Sequence, residues 1–176
     1  MRQRPGLLTL FLLAALAPWP VLRADAAEPA KRFRALGHKI EVKLDRKATN
    51  GAYSVLEMTD APGNGPPRHV HSAEDEIFHV LQGRVRFWRG SETFVAGPGA
   101  VVYMPRNVPH TFKNVGKTES RVLILITPGR LQGFFEEAAA RNIVMPRDTA
   151  AFAGLAERYG IKVLGPAPGG EAANAR

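Results

Sequence analysis

Three features of this 176-residue chain predict an all-β domain, either a sandwich or a small barrel. Short apolar stretches recur at close spacing, each fenced by Gly, Pro or Asn. Glycine (17) and proline (14) are abundant, which favours a turn-rich architecture over a helix bundle. An apolar fraction of 45%, with nine Phe, three Tyr and two Trp, is enough for a packed core. The length holds one domain of ordinary size with room for a tail. Cysteine is absent, which excludes a disulfide framework, a thiol nucleophile and any thiolate-held zinc or iron–sulfur cluster.

The elements follow in chain order. Arg2 and Arg4, the apolar run from Leu7 to Ala17 and the small-residue exit Ala24-Asp25-Ala26 have the form of a secretory signal peptide. Cleavage after Ala26 is expected, giving an exported protein, periplasmic or secreted, with no membrane attachment once the segment is removed. Residues 27–33 form a polar lead-in. His38 to Leu44 alternates as a half-buried strand, with Ile40, Val42 and Leu44 on one side. After a turn, Tyr53 to Met58 is a second strand. Asp60 to Pro67 is a loop, because two glycines and three prolines leave no room for a ladder. Glu76 to Leu81 and Arg84 to Arg89 are strands joined at Gln82-Gly83, where glycine tolerates the positive φ of a tight hairpin. Thr93 to Ala96, Ala100 to Met104, His110 to Asn114 and Arg121 to Thr127 complete the strands. Leu131 to Arg141 carries Leu131, Phe134, Phe135 and Ala138 on one helical stripe. A second helix, Thr149 to Tyr159, has Asp148 as its N-cap and Gly160 as its stop. The expected organisation is a signal peptide (1–26), an N-terminal extension with a strand (27–50), the barrel (51–130), a helical extension (131–165) and a flexible tail (166–176).

The formal charge of +8 falls to +6 on removal of Arg2, Arg4, Arg23 and Asp25. The remaining basic residues are dispersed, with no dense run and no basic–aromatic ladder, so no nucleic-acid partner is expected.

Two stretches carry the chemistry. In GNGPPRHVHSAEDEIFHVLQG, from Gly63 to Gly83, His69 and His71 lie two apart and share one strand face. Glu76 opens the next strand beyond a short polar turn, with Phe78 and Val80 in phase with it and His79 out of phase. In GAVVYMPRNVPHTFKN, from Gly99 to Asn114, His110 starts another strand just after Pro109. Neighbouring imidazoles inside an apolar barrel are costly unless each finds a partner. One divalent transition metal ion resolves this, taking the nitrogens of His69, His71 and His110 and the carboxylate of Glu76. Iron, manganese, nickel, cobalt, copper and zinc all suit such a mixed set, and the spacing does not choose among them. Glu74 and Asp75, the rival carboxylates, are read as a solvated turn, His38 as structural, and Arg106 and Asn107 as an exposed turn.

The pattern G-x5-H-x-H-x4-E-x6-G, filled by Gly63, His69, His71, Glu76 and Gly83, resembles the first motif of the cupin superfamily. The second motif is similarly filled by Gly99, Pro105, His110 and Asn114, with Asn107 standing where the motif has glycine. The resemblance covers residues 51 to 127 and implies a double-stranded β-helix, or jelly roll, followed by short C-terminal helices. EDEIFHVLQGRV and MPRNVPHTFKNVG resemble more narrowly the quercetin-dioxygenase-like cupins. That likeness implies a metal-dependent dioxygenase acting on a small enol or phenolic substrate, with Glu76 as both ligand and proton acceptor. It also implies pairing of two copies through their sheets as a homodimer. Tyr53, Phe78, Met104 and Phe112 are candidates for the pocket lining. A redox-neutral isomerase or lyase and a non-catalytic module that binds a small ligand or metal are the alternatives to an oxygenase.

Overall fold

The computed structural model describes residues 30–168. The signal-peptide segment and residues 169–176 of the expected tail lie outside the described residues. Eleven strands and two helices follow in order: β1 (Arg32–Ala35), β2 (His38–Leu44), β3 (Ser54–Asp60), β4 (Arg68–His71), β5 (Asp75–Gln82), β6 (Val85–Arg89), β7 (Glu92–Ala96), β8 (Val101–Met104), β9 (His110–Asn114), β10 (Ser120–Thr127), α1 (Leu131–Ala140), α2 (Thr149–Arg158) and β11 (Ile161–Gly165). They form two antiparallel sheets, one ordered β1-β2-β3-β10-β5-β8 and the other β11-β4-β9-β6-β7. Strands consecutive in sequence often sit in different sheets, as a jelly roll requires.

Alternation decides which side chains reach the interior. Leu56 and Met58 of β3, Phe78 and Val80 of β5, Val102 and Met104 of β8, and Val122, Ile124 and Ile126 of β10 all point inward. They meet Val85 and Phe87 of β6 and Phe112 of β9 from the opposing sheet. At the β5–β6 hairpin Gly83 has φ +87, and a Cβ there would lie 2.9 Å from the Ser120 backbone. Asn107, in the motif's glycine position, takes φ +62, within the left-handed region that asparagine tolerates.

Three places differ from the sequence-based expectation. Residues Arg32–Ala35 form β1, an edge strand paired with β2, so the extension adds two strands to the barrel sheet from Arg32 onward. Ile161–Gly165 forms β11 on the edge of the other sheet, beside β4, where only helix and tail were expected. The Asp148 carboxylate does not cap α2. It accepts instead from the Val144 backbone N–H (2.8 Å) and pairs with Arg147. Helix α2 does stop at Gly160, which has φ +72.

The C-terminal segment closes one side of the barrel. Phe134 of α1 packs edge-on against Phe135, Phe152 and Tyr159, tying the two helices into one apolar layer. The segment between β3 and β4 is likewise fixed. Gly63 N–H donates to Asn114 O, and Asn114 N–H to Asn64 O, so these residues lie along β9 as a wall. Gly65 permits that approach, since a Cβ there would come within 2.0 Å of the Phe112 carbonyl oxygen. Among the described residues no helix is long and apolar enough to cross a membrane.

Candidate metal centre

Three strands deliver the four predicted ligands to one point. His69 and His71 project from the same face of β4, His110 sits directly across from His69 on β9, and Glu76 points inward from β5. One ligand atom from each of the four lies within 4.8 Å of every other. All four are at least nine-tenths buried. The missed strand β11 contributes here, because its Ile161 and Val163 pair with His71 and His69 and hold β4 in place.

The hydrogen bonds fix where the protons are. His69 Nδ1 donates to Pro67 O (2.7 Å) and His110 Nδ1 to Val108 O (2.8 Å). In the neutral rings both Nε2 atoms are therefore bare lone pairs turned toward the cluster. His71 Nε2 lies 3.1 Å from His69 Nε2, and Glu76 Oε2 lies 3.1 Å from His110 Nε2 and 3.5 Å from His71 Nε2. Neither neutral tautomer satisfies His71. With its proton on Nδ1, two lone pairs face each other at 3.1 Å. With its proton on Nε2, the buried Nδ1 lone pair has no hydrogen-bond partner and faces the Glu74 carboxylate 4.0 Å away. One divalent cation removes the conflict at Nε2, taking three Nε2 lone pairs and the carboxylate, with the His71 proton on Nδ1, 4.0 Å from the Glu74 carboxylate. The residues present fit a borderline transition ion.

Electrostatics point the same way. Burial, reinforced by the neighbouring His71 and His110, lowers the His69 imidazole to about 3, so it stays a neutral donor. Burial pushes the Glu76 carboxyl up, but the combined attraction of His71 and His110 outweighs it and holds the group well below its usual range. Burial lowers His110 as well, yet the adjacent Glu76 carboxylate outweighs it and raises it overall, a pull toward positive charge at Nε2 that a bound cation would satisfy in place of a proton.

The cluster opens into a cavity of about 570 Å³. His69, His71 and Glu76 line one part of it, while His110 lies behind them, 1% exposed. The remaining wall is mainly apolar, from Met58 and Ile124 of the larger sheet, Phe112, and Leu131, Phe134 and Phe152 of the helices. A mainly apolar pocket of this size with a few convergent polar groups suits one small organic molecule.

Of the four residues expected to line the pocket, Phe112 does so. Phe78 and Met104 point inward but pack in the core and are not part of the cavity wall. Tyr53 precedes β3 in the outward phase and is 40% exposed on the surface, so it is not part of the wall. Glu74 corrects the solvated-turn reading, because it is fully buried and neither carboxylate oxygen has a hydrogen-bond partner. Burial pushes its carboxyl up. The signal was present in the strand period: Glu74, Glu76, Phe78 and Val80 share one phase, and all are buried. Asp75 takes the other phase, where the exposed Arg106 guanidinium holds it down at about 2. His79 lies half-buried on the outer face, opposite Val101.

Comparison with known proteins agrees with this geometry. A family model described as a cupin domain matches residues 56–126, which contain all four ligands. An uncharacterized Streptomyces coelicolor protein is 35% identical over 98 residues, covering 50% of this chain and 90% of that protein. Quercetin 2,3-dioxygenase of Bacillus subtilis is 23% identical over 90 residues, 51% of this chain but only 26% of the enzyme. The crystal structure of a predicted oxalate decarboxylase from Thermotoga maritima superposes with a TM-score of 0.51 at 23% identity, covering 56% of this chain and 91% of that one, a likeness of fold.

Proposed function

The chain belongs to the cupin superfamily, and from that premise we propose that it is a metal-dependent dioxygenase of a small enol- or phenol-bearing substrate. The observation that carries this reading is the convergence of three imidazoles and a buried carboxylate beside an apolar cavity. The partial match to the quercetin dioxygenase supports the choice of reaction class.

His69, His71 and His110 would hold the ion, with Glu76 as the fourth ligand. When bound, such an ion supplies a Lewis-acidic and redox-active centre for substrate oxygen and dioxygen. Glu76 provides the only carboxylate on the cavity wall among the described residues, and the charge-favouring surroundings keep it ionised. It is therefore placed to take the proton of an enol or phenol hydroxyl, leaving the electron-rich oxyanion that reaction with dioxygen needs. Met58, Phe112, Ile124 and Phe134 exclude water and hold the substrate ring by apolar contact.

The test is anaerobic mixing of iron- or nickel-loaded protein with flavonols, followed by admission of air. Oxygen uptake is expected, and Glu76→Gln is expected to lower kcat/KM by about 10²–10⁴-fold, the usual contribution of a positioned general base. Absence of uptake with every metal contradicts the reading, and turnover under strict anaerobiosis replaces it with redox-neutral chemistry.

Export and pairing complete the proposal. The basic, apolar and small-residue order of residues 1–26 supports export, and mature protein from the envelope or medium should begin at Ala27. A mature chain that retains Met1 overturns it. Ile77, Val101 and Tyr103, exposed on the adjoining outer faces of β5 and β8, support a homodimer formed through this sheet.

A further inference from the structure

A second polar group lines the cavity away from the metal centre. His38, at the start of β2, is 3% exposed, and Asp60, at the end of β3, is 1% exposed. His38 Nδ1 donates to Asp60 Oδ1 at 2.5 Å. The amide of Asn64 donates to the same oxygen (2.8 Å) and to Gly37 O (3.2 Å), and Asn114 Nδ2 donates to Asp60 O (2.9 Å). This network holds the imidazole with its proton on Nδ1, which leaves Nε2 as an acceptor. Among the described residues no protein group occupies that Nε2, and it is not among the sealed, unpartnered buried atoms. His38 is among the residues that line the cavity, which puts a bound molecule within reach of the ring.

Strand β9 serves as a ruler between the two polar groups. His110 belongs to the metal cluster, and Asn114, four residues later, donates to Asp60. Four residues of extended chain span roughly 13 Å. Between them stands Phe112, whose ring centroid is 6.2 Å from that of His38. Met58 and Ile124, on the strands between β2 and β5, form an apolar floor over the same interval. The cavity is thus apolar in its middle, with a metal-binding cluster toward one end and a fixed acceptor toward the other.

We propose that His38, held by Asp60, anchors the far end of the bound molecule by accepting a hydrogen bond from one of its hydroxyl groups, which makes it a specificity-determining residue of the cavity. This assignment rests on the small-molecule reading of the cavity and adds the substrate's second polar end to it. An acceptor built for a hydroxyl discriminates against the analogue that lacks one, because its buried lone pair is then left unpaired.

Flavonol, galangin and kaempferol carry the same enol chelate with successively more ring hydroxyls, and they serve as probes of the zinc-loaded full-length protein. Affinity is measured anaerobically for wild type and His38→Asn. Asparagine can still donate to Asp60 but presents nothing at the Nε2 position. In wild type at least one hydroxylated probe should bind about tenfold tighter than flavonol, a gain typical of one buried hydrogen bond. His38→Asn should abolish that preference while leaving zinc content unchanged. His38→Gln, which restores a polar group near Nε2, should recover part of it. Nitrogen NMR of the wild-type histidines gives a readout that needs no variant: His38 should carry its proton on Nδ1. A preference that survives in His38→Asn, a wild type that binds no hydroxylated probe better than flavonol, or a proton on Nε2 overturns the assignment. Absent oxygen uptake with the His38-dependent preference intact overturns the dioxygenase reading alone.

Discussion

Replacing His71 with alanine is expected to abolish tight metal binding and, with it, the stabilisation that metal gives. His71 Nε2 lies within 3.5 Å of both His69 Nε2 and Glu76 Oε2, so it closes one side of the cluster. Loss of an outer-shell partner alone typically costs 10–100-fold in metal affinity, and loss of a ligand should exceed that. For wild type, metal at about a thousandfold excess over Kd adds about 4 kcal/mol of stability, or roughly 8–16 °C in a domain of this size. The variant should show almost none of that rise at the same metal concentration. Its metal-free form should not melt far below metal-free wild type, because removing His71 also removes an imidazole that no tautomer satisfies. Differential scanning calorimetry with and without Ni²⁺ or Zn²⁺ reads both quantities. An undiminished metal-induced shift in His71→Ala contradicts the assigned ligand set.

The second large effect concerns the core that holds the cavity wall. Phe87 is fully buried and lies at the centre of an aromatic group, with ring centroids 5.5 Å from Phe78, 5.8 Å from Phe94 and 6.2 Å from Phe112. Phe112 lines the cavity on one side and leans on this group on the other. Phe87→Ala removes the support and leaves a void that neighbouring strands, locked in their ladders, cannot collapse into fully. The expected cost is about 3–5 kcal/mol, on the order of 10 °C in melting temperature. Phe87→Leu should lose much less. Denaturant unfolding of the two variants is the measurement, and a loss below about 1 kcal/mol for alanine would show that the aromatic group is not what fixes Phe112.

Much of the site was legible because it depends on short-range geometry. The two-residue spacing of His69 and His71 fixes their shared face on any strand, and the phase of Glu76 with Phe78 and Val80 fixes its inward direction. The double motif then indicated which distant strand brings His110 alongside. What could not be read depends on long-range register or on packing. The partner of His38 is Asp60, 22 residues away, and the two meet only because β2 and β3 pair in one register. Strand β11 has an ordinary, largely exposed sequence, and only the free edge of β4 makes it a strand. Phe78, Met104 and Tyr53 show the limit of residue type as a guide: two inward side chains are sealed beneath the wall and the third faces outward. Glu74 was misread for a different reason, since its charge outweighed a strand period that already placed it inside.

X-ray absorption at the metal edge of natively purified protein tests the central claim most directly. The expected spectrum is that of one transition ion per chain, with three imidazole nitrogens and a carboxylate oxygen at about 2.0–2.2 Å, and with the imidazole signal reduced in His110→Ala. Protein that carries no stoichiometric metal and takes up none on exposure to first-row divalent ions, or an ion whose surroundings contain no imidazole, would contradict it.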